Sequence, residues 1–417
     1  MGEEDLNIEY TKALSTSFDT TLEMSKYQIL AYQNAMQYVQ VFKHESEPNN
    51  AKMTSINVTN KQWIETVQRC SLVRGFYEIV AEGESYEELA KSALEEKSLV
   101  DMMPNGINEN ATWRVRLRQY GSTASESKAK QYGKKMRSPM NEEKKAVTKL
   151  KDLLIQLGGE VDLKDADISI YILEGLCDYQ GHRNKKILAR LLTKGGGGQN
   201  GKPTSTIAPK TRICVTNTPL AAIEAFTACN LARITNGNRV LDPFAGSCTT
   251  LLAASMLAPD SIQTVGIEIG HNGQVNREHI VDDFRVRSLT LPAAIIRGDA
   301  MDEFVRKEAI DAVGTQPFDC IVTDPPYGIR EKTGYCDDPP LVQLVKCIAK
   351  DRENHRRLLK KSGRLVAFVP NVKGEDVMLG MPSQYELEEA GLECLQMLEQ
   401  PLNDSLSRWL VEYKCIR

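Results

Sequence analysis

No stretch of the 417-residue chain approaches the roughly 18 consecutive apolar residues of a membrane-spanning helix, so a membrane protein is not expected. The acidic opening Gly2-Glu3-Glu4-Asp5 lacks the basic start and apolar core of a secretory leader, so secretion is not expected either. The ten cysteines never form a C-x-x-C pair, and no histidine falls at finger-like spacing. Neither a zinc site nor a disulfide lattice is signalled, and no metal ligands are assigned. A reducing, intracellular compartment follows, with the cytoplasm favoured and the nucleus as the alternative.

What is present is a globular composition, 41% hydrophobic with 28 glycines, enough for two or three domains with sizeable cores. The net charge of −4 hides a segregation: residues 111–223 carry 21 basic against 10 acidic side chains. Such a block is either a polyanion-facing surface or a solvated charged face. Within it, Trp113-Arg114-Val115-Arg116-Leu117-Arg118 alternates apolar and cationic residues with the period of a strand. Arg114, Arg116 and Arg118 would then line one outward face, with Lys134, Lys135 and Arg137 in the loop beyond. That second cluster reads as RNA-facing rather than as a nuclear address.

Around it, the pattern predicts a helix over 61–70, a strand over 72–80 and a helix over 85–95 with Ser85 as cap and Glu88 completing a capping box. A helix ending over 149–157 and strands over 161–163 and 168–172 complete an α+β domain. Residues 195–206 are rich in glycine and polar residues and read as a flexible linker, because no Gly-Lys-[Ser/Thr] follows the quadruple glycine as a phosphate loop requires. Beyond it, segments at 239–241, 249–257, 264–267, 276–286, 294–296, 318–322 and 364–369 alternate strand and helix, the signature of a doubly wound α/β sheet. The expected domains are 1–40 as an extension or divergent start, 41–194 as the α+β domain, 195–210 as linker and 211–417 as the doubly wound domain.

Four motifs fall at expected strand ends. Asp242-Pro243-Phe244-Ala245-Gly246 is a strand breaking into a tight turn and a helix, where Asp242, Phe244, Ala245 and Gly246 could meet a nucleotide-like ligand. Glu268, 26 residues beyond Asp242, is suited to a pair of ribose hydroxyls. Asp299-Ala300 is suited to an adenine amino group. Each acid alone is as well explained as a helix cap; three at successive strand ends are harder to explain so. The fourth motif is Asp324-Pro325-Pro326-Tyr327. The exocyclic amine of a base is a poor nucleophile because its lone pair is delocalised into the ring. Attack on a methyl donor benefits from acceptors that hold its N–H bonds. Asp324 and the Pro325 carbonyl can supply them, and Tyr327 can stack on an extruded base.

In these residues the chain resembles the S-adenosylmethionine-dependent amino-methyltransferases. More narrowly it is similar to the tRNA (guanine-10-N2) methyltransferase family, through Arg212 to Ile234 with Asn217-Thr218, Asp324 to Glu331, Ser407-Arg408-Trp409, and the segments 69–89 and 157–174. The resemblance implies an N-terminal α+β THUMP-like RNA-binding domain joined to a C-terminal Rossmann-like methyltransferase domain. It further implies methyl transfer from S-adenosylmethionine to the N2 of a tRNA guanosine. Asp324, Pro325 and Tyr327 would serve the base, and Asp242, Phe244, Ala245, Gly246, Glu268, Asp299 and Ala300 the cofactor. Eukaryotic relatives use a small zinc-binding activator subunit, whereas archaeal ones act alone. One departure is Cys248, where the family has a second glycine; a positive φ there would be costly and could reshape the loop. Two other readings stay open: a DNA amino-methyltransferase acting on adenine N6 or cytosine N4, with protein-glutamine methylation as a variant, and a catalytically weak RNA-binding protein.

Overall fold

The computed structural model describes residues 29–33, 38–41, 68–71, 73–95, 112–119, 139–157, 159–175, 186–196, 202–216, 218–270, 275–327, 338–372 and 374–417. These fall into two compact units, one within 22–201 and one within 202–417. The division lies inside the glycine-rich stretch. No helix among the described residues is long and apolar enough to cross a membrane.

The first unit is built on a seven-stranded mixed sheet in the order β2-β1-β3-β7-β6-β4-β5. Its strands are β1 (Ile29–Gln33), β2 (Tyr38–Val41), β3 (Val73–Gly83), β4 (Thr112–Gln119), β5 (Glu160–Val161), β6 (Ile168–Glu174) and β7 (Lys186–Lys194). Residues 29–41, at the expected junction of start and domain, thus supply two strands. Helices α1 (Tyr86–Glu95) and α2 (Pro139–Lys149), with the short α3 (Lys151–Leu154), cover one face. There Leu89, Ala93, Ala146, Leu150 and Leu153 bury against Val115, Ile170, Ile172 and Leu188. Interior β6 is buried on both faces from Ile168 to Leu173, which explains why its residues are apolar or aromatic apart from Ser169, whose hydroxyl accepts from Arg114.

Two local details differ from the sequence reading. Ser85 accepts the Glu88 N–H at 3.1 Å, but the Glu88 carboxylate reaches one residue further back, to the Glu84 N–H at 2.9 Å. The strand expected over 161–163 stops at Val161, because Asp162 accepts the backbone N–H groups of Lys164 and Asp165 at 2.7 and 3.2 Å and turns the chain. Of the helix expected over 61–70, residues 61–67 lie outside the described residues.

The second unit is the doubly wound sheet, in the order β10-β9-β8-β11-β12-β14-β13. It comprises β8 (Asn238–Asp242), β9 (Ile262–Glu268), β10 (Ala294–Arg297), β11 (Phe318–Thr323), β12 (Leu359–Val372), β13 (Leu392–Pro401) and β14 (Leu406–Cys415). Strands β8 to β12 run parallel, and β14 is antiparallel to both β12 and β13. Helices α4 (Ala222–Leu231), α5 (Thr249–Leu257) and α6 (Arg277–Arg285) bury Phe226, Leu251, Leu252 and Phe284 against one face. Helices α7 (Glu303–Asp311), α8 (Pro340–Glu353) and α9 (Gln384–Ala390) bury Ala309, Leu344, Val345 and Leu387 against the other. The order of strands across the sheet reverses between β8 and β11, and the crevice at that point, on the carboxyl edge of the sheet, is where open α/β sheets bind ligands.

Candidate active site

Because β10, β9, β8 and β11 are adjacent and parallel, one sheet edge carries Asp299, Glu268, Asp242 and Asp324 in spatial order. Asp242 pairs in register with Gly266 and Glu268 with Arg297. Chain order separates these acids by as many as 82 positions; the topology assembles them.

Asp242 is 2% exposed at the end of β8. Its Oδ1 accepts the Thr323 hydroxyl at 2.7 Å and the Phe244 N–H at 3.1 Å. Burial pushes its carboxyl up to about 7, against the downward pull of Thr323, Phe244 and Thr250, with the neighbouring Asp324 adding to the rise. A carboxyl with a raised folded pKa stabilises the fold fully below its ordinary value of 3.8, and that contribution is lost as pH climbs through about 7. Asp242→Asn keeps an acceptor oxygen and does not titrate. The wild type should therefore lose ground to Asp242→Asn in urea midpoint between pH 5 and pH 8. A gap independent of pH would show that Asp242 does not titrate in this window.

Glu268 organises the neighbouring turns. Its Oε2 accepts the Gly246 N–H at 2.9 Å and its Oε1 the Gly270 N–H at 3.1 Å. Ala245 is buried and donates its N–H to the Ile267 carbonyl at 2.9 Å. Phe244 packs against the α7–α9 side of the core. Gly246 has φ +49°, and a Cβ added there would meet nothing within 4 Å, so the turn opens onto free space.

Cys248 does adopt the left-handed conformation, φ +63° and ψ +31°, at the cap of α5, fully buried, with its thiol pushed well up by that burial. Its N–H closes the turn onto the Ala245 carbonyl at 2.6 Å. The turn therefore forms with a cysteine at this left-handed position, at about 1–2 kcal/mol of backbone strain. Cys248→Gly would relieve that strain but forfeit a buried side chain and unfolded-state restriction, so a net change within about 1 kcal/mol is expected. Cys248→Val should cost more than about 2 kcal/mol, since a β-branched residue tolerates positive φ poorly. Thermal melts of the pair decide it; equal melting points would remove the strain assignment.

The Asp299 side chain closes its own turn by accepting the Met301 N–H at 2.8 Å, and its carbonyl accepts the Asp302 N–H at 3.0 Å. Buried Ala300 gives its carbonyl to Arg306 at 3.0 Å, and Arg306 makes a buried bidentate pair with Asp351 at 2.6 and 2.8 Å. At the switch point, Tyr327 donates its hydroxyl to Asp324 Oδ1 at 2.7 Å, and Pro325 between them in sequence is buried. Burial, then the Asp324 charge, pushes the Tyr327 phenol well above its ordinary value. Residues 328–331 of this motif lie outside the described residues.

Side chains that the motifs did not single out hold the first turn from behind. Buried Arg212 donates to the Thr249 hydroxyl at 2.5 Å, to the Ser247 hydroxyl at 3.4 Å and to the Ser247 carbonyl. Its Nε stands 3.5 Å from Asp283. Asp283 in turn accepts the Ile213 and Cys214 N–H groups at 2.9 Å each, and Arg287 at 2.8 Å.

In the first unit, Arg114, Arg116 and Arg118 do share one sheet face, but all three bond within the fold, Arg118 through its own neighbour's carbonyl, Leu117, at 3.3 Å. Arg114 donates to the Ser169 hydroxyl at 2.8 Å and the Lys164 carbonyl at 2.7 Å. Arg116 pairs with Glu143 at 3.0 Å and the Leu163 carbonyl at 2.5 Å. Exposed Arg118 lies 5.6 Å from the Tyr171 ring centre. Lys134, Lys135 and Arg137 lie outside the described residues.

Residues 209–373 match the family model of the RMKL-like methyltransferase domain. The tRNA (guanine(10)-N(2))-methyltransferase TRMT11 of Xenopus laevis is 23% identical over 290 residues, which span 64% of this chain and 53% of that relative. The tRNA (guanine(10)-N2)-dimethyltransferase of Methanothermobacter thermautotrophicus is 32% identical over 104 residues, 25% of this chain and 26% of the relative. The chain thus spans about half of the first curated relative's length and about a quarter of the other's. Among solved structures, TrmN from Thermus thermophilus aligns over 100% of this chain and 97% of its own at 17% identity, with a TM-score of 0.47. Residues 209–373 are thus similar to methyltransferase domains of the RMKL-like family, in a chain similar in sequence to the tRNA (guanine(10)-N2)-methyltransferases.

Proposed function

We propose that this protein methylates the exocyclic N2 amine of a guanosine in tRNA, using S-adenosylmethionine. The observation that carries the reading is the assembly, at one sheet edge and switch point, of three acids suited to an adenosine beside an Asp-Pro-Pro-Tyr loop suited to an aromatic amine. The described residues fit the donor: the Gly246 turn opens onto free space, and Asp242, Phe244, Ala245, Glu268, Asp299 and Ala300 surround that end of the sheet. Bound there, S-adenosylmethionine would supply an electrophilic methyl group.

Asp324 and the Pro325 carbonyl would each accept one N–H of the target amine, directing its lone pair away from the ring. Asp324 would also receive the proton that the nitrogen sheds once it is methylated. Tyr327 would stand against the extruded base. The unit within 22–201 would bind the tRNA as a THUMP-like domain, with exposed Arg118 a better phosphate contact than the half-buried Arg114 and Arg116, whose guanidiniums each hold two partners. The site's chemistry would be complete within this chain, and a zinc-binding activator subunit would act as a stabilising partner.

The test is methylation of bulk tRNA with labelled donor, with and without such a subunit, followed by nucleoside analysis. Label in N2-methylguanosine is expected. In a parallel reaction with DNA in place of tRNA, label confined to adenine or cytosine would overturn the assignment, as would donor binding without transfer to either polymer.

A further inference from the structure

Arg408 belongs to none of the groups assigned above, yet it is the polar side chain that connects the core of the second unit to the base loop. It sits on β14 opposite Pro370 of β12 and Gln400 of β13, and is 8% exposed. Its Nε donates to Gln400 Oε1 at 2.6 Å, and its Nη2 lies 3.4 Å from Glu224 Oε1 on α4. Gln400 donates to the same Glu224 oxygen at 3.0 Å, closing a triangle of side chains. The guanidinium also lies 4.4 Å from the Phe368 ring centre. A guanidinium held on three sides is not available to an RNA phosphate. Its remaining edge points Nη1 at the Tyr327 hydroxyl oxygen, 3.3 Å away.

The chemistry of the donor sets the direction of the next bond. Arginine has donors and no acceptor, so the Tyr327 oxygen must accept from Arg408. Its own proton is then directed elsewhere, and the structure places it on Asp324 Oδ1 at 2.7 Å. We infer that Arg408 is a positioning residue for methyl transfer, acting through the Tyr327 hydroxyl to hold the Asp324 carboxylate in the orientation that accepts the target amine. The relay runs Glu224 and Gln400, Arg408, Tyr327, Asp324. It rests on the proposed reading of Asp324 as the amine acceptor. It adds a second task for Tyr327 besides stacking: the hydroxyl, which stacking alone does not need, orients the carboxylate.

The test uses the full chain and tRNA, measuring kcat, KM for tRNA and donor affinity by calorimetry for Arg408→Met, Arg408→Lys, Tyr327→Phe, Asp324→Ala and the double variant Arg408→Met/Tyr327→Phe. Loss of a preorganised contact to a reacting group should lower kcat by about tenfold or more in Arg408→Met and in Tyr327→Phe. Donor affinity and KM should stay within about threefold, and Arg408→Lys, which keeps one donor, should fall between. The double variant should match Tyr327→Phe alone within about twofold, because the partner of Arg408 is already gone. Losses that multiply, or a Tyr327→Phe enzyme with wild-type kcat, would overturn the relay. Should Arg408→Met fail to fold, Arg408→Lys with Tyr327→Phe completes the same cycle. An active Asp324→Ala would instead remove the underlying reading of the loop, whereas an inactive Asp324→Ala with multiplying losses removes only the relay.

Discussion

Asp324→Ala is expected to lower methyl transfer by about a thousandfold or more while donor affinity changes by less than about threefold. The split follows from the topology. Asp324 follows β11, whereas the acids proposed to face the donor end β8 and β9 or follow β10, and Glu268 and Asp299 hold their own loops by backbone bonds that do not involve Asp324. The amine's lone pair stays delocalised unless its N–H bonds are held, and the alanine variant would keep only the Pro325 carbonyl for one of them and nothing to take the released proton. Asp324→Asn should be nearly as inactive, since an amide can present an N–H where the amine needs an acceptor. A small change in donor affinity has a defined sign at Asp242. The Asp324 charge raises the Asp242 carboxyl, so removing it lets Asp242 ionise at lower pH. Single-turnover methylation and donor titration measure the two quantities; parallel losses in both would contradict the assigned role.

Much of the second unit is readable because a doubly wound sheet writes itself locally. Apolar strands such as Phe318 to Val322 alternate with helices, and an acid or a glycine marks each carboxyl end. The four acids and the Asp-Pro-Pro-Tyr loop were legible for that reason. The arginines were not. Arg212, Arg306 and Arg408 find partners 35, 45 and 184 positions away in the chain, at Ser247, Asp351 and Glu224. Nothing in local periodicity separates a buried, bidentate guanidinium from a solvated one. The same blindness acts in reverse on β4. Period-2 alternation correctly puts Arg114, Arg116 and Arg118 on one face, but it does not reveal that the turn after β5 offers the Leu163 and Lys164 carbonyls to two of them. The β13–β14 hairpin also escaped, because its long strands carry charged residues such as Glu393, Glu399 and Glu412, and Glu412 is satisfied by Arg364 and Gln396.

Arg212→Met is expected to destabilise the second unit by about 3–5 kcal/mol, because it leaves part of a buried ionic network unpaired. Asp283 keeps Arg287 and two backbone N–H groups, which places the loss toward the lower end. The Ser247 carbonyl and the Thr249 hydroxyl lose their charged donor, and these belong to the turn in which Cys248 is already held at positive φ. The strained turn is thereby deprived of its main external tether, so donor affinity should fall together with stability. For a domain of this size, the change corresponds to a fall in melting temperature of roughly 6–15 °C. Adding Asp283→Asn to Arg212→Met should cost further stability, because it removes the charge that Arg287 and two backbone N–H groups still engage, and it should not restore the turn or the donor affinity. Calorimetric melting and donor titration of the single and double variants separate the two effects. A single variant that melts within a degree or two of wild type would show that the network is not what holds the cofactor turn.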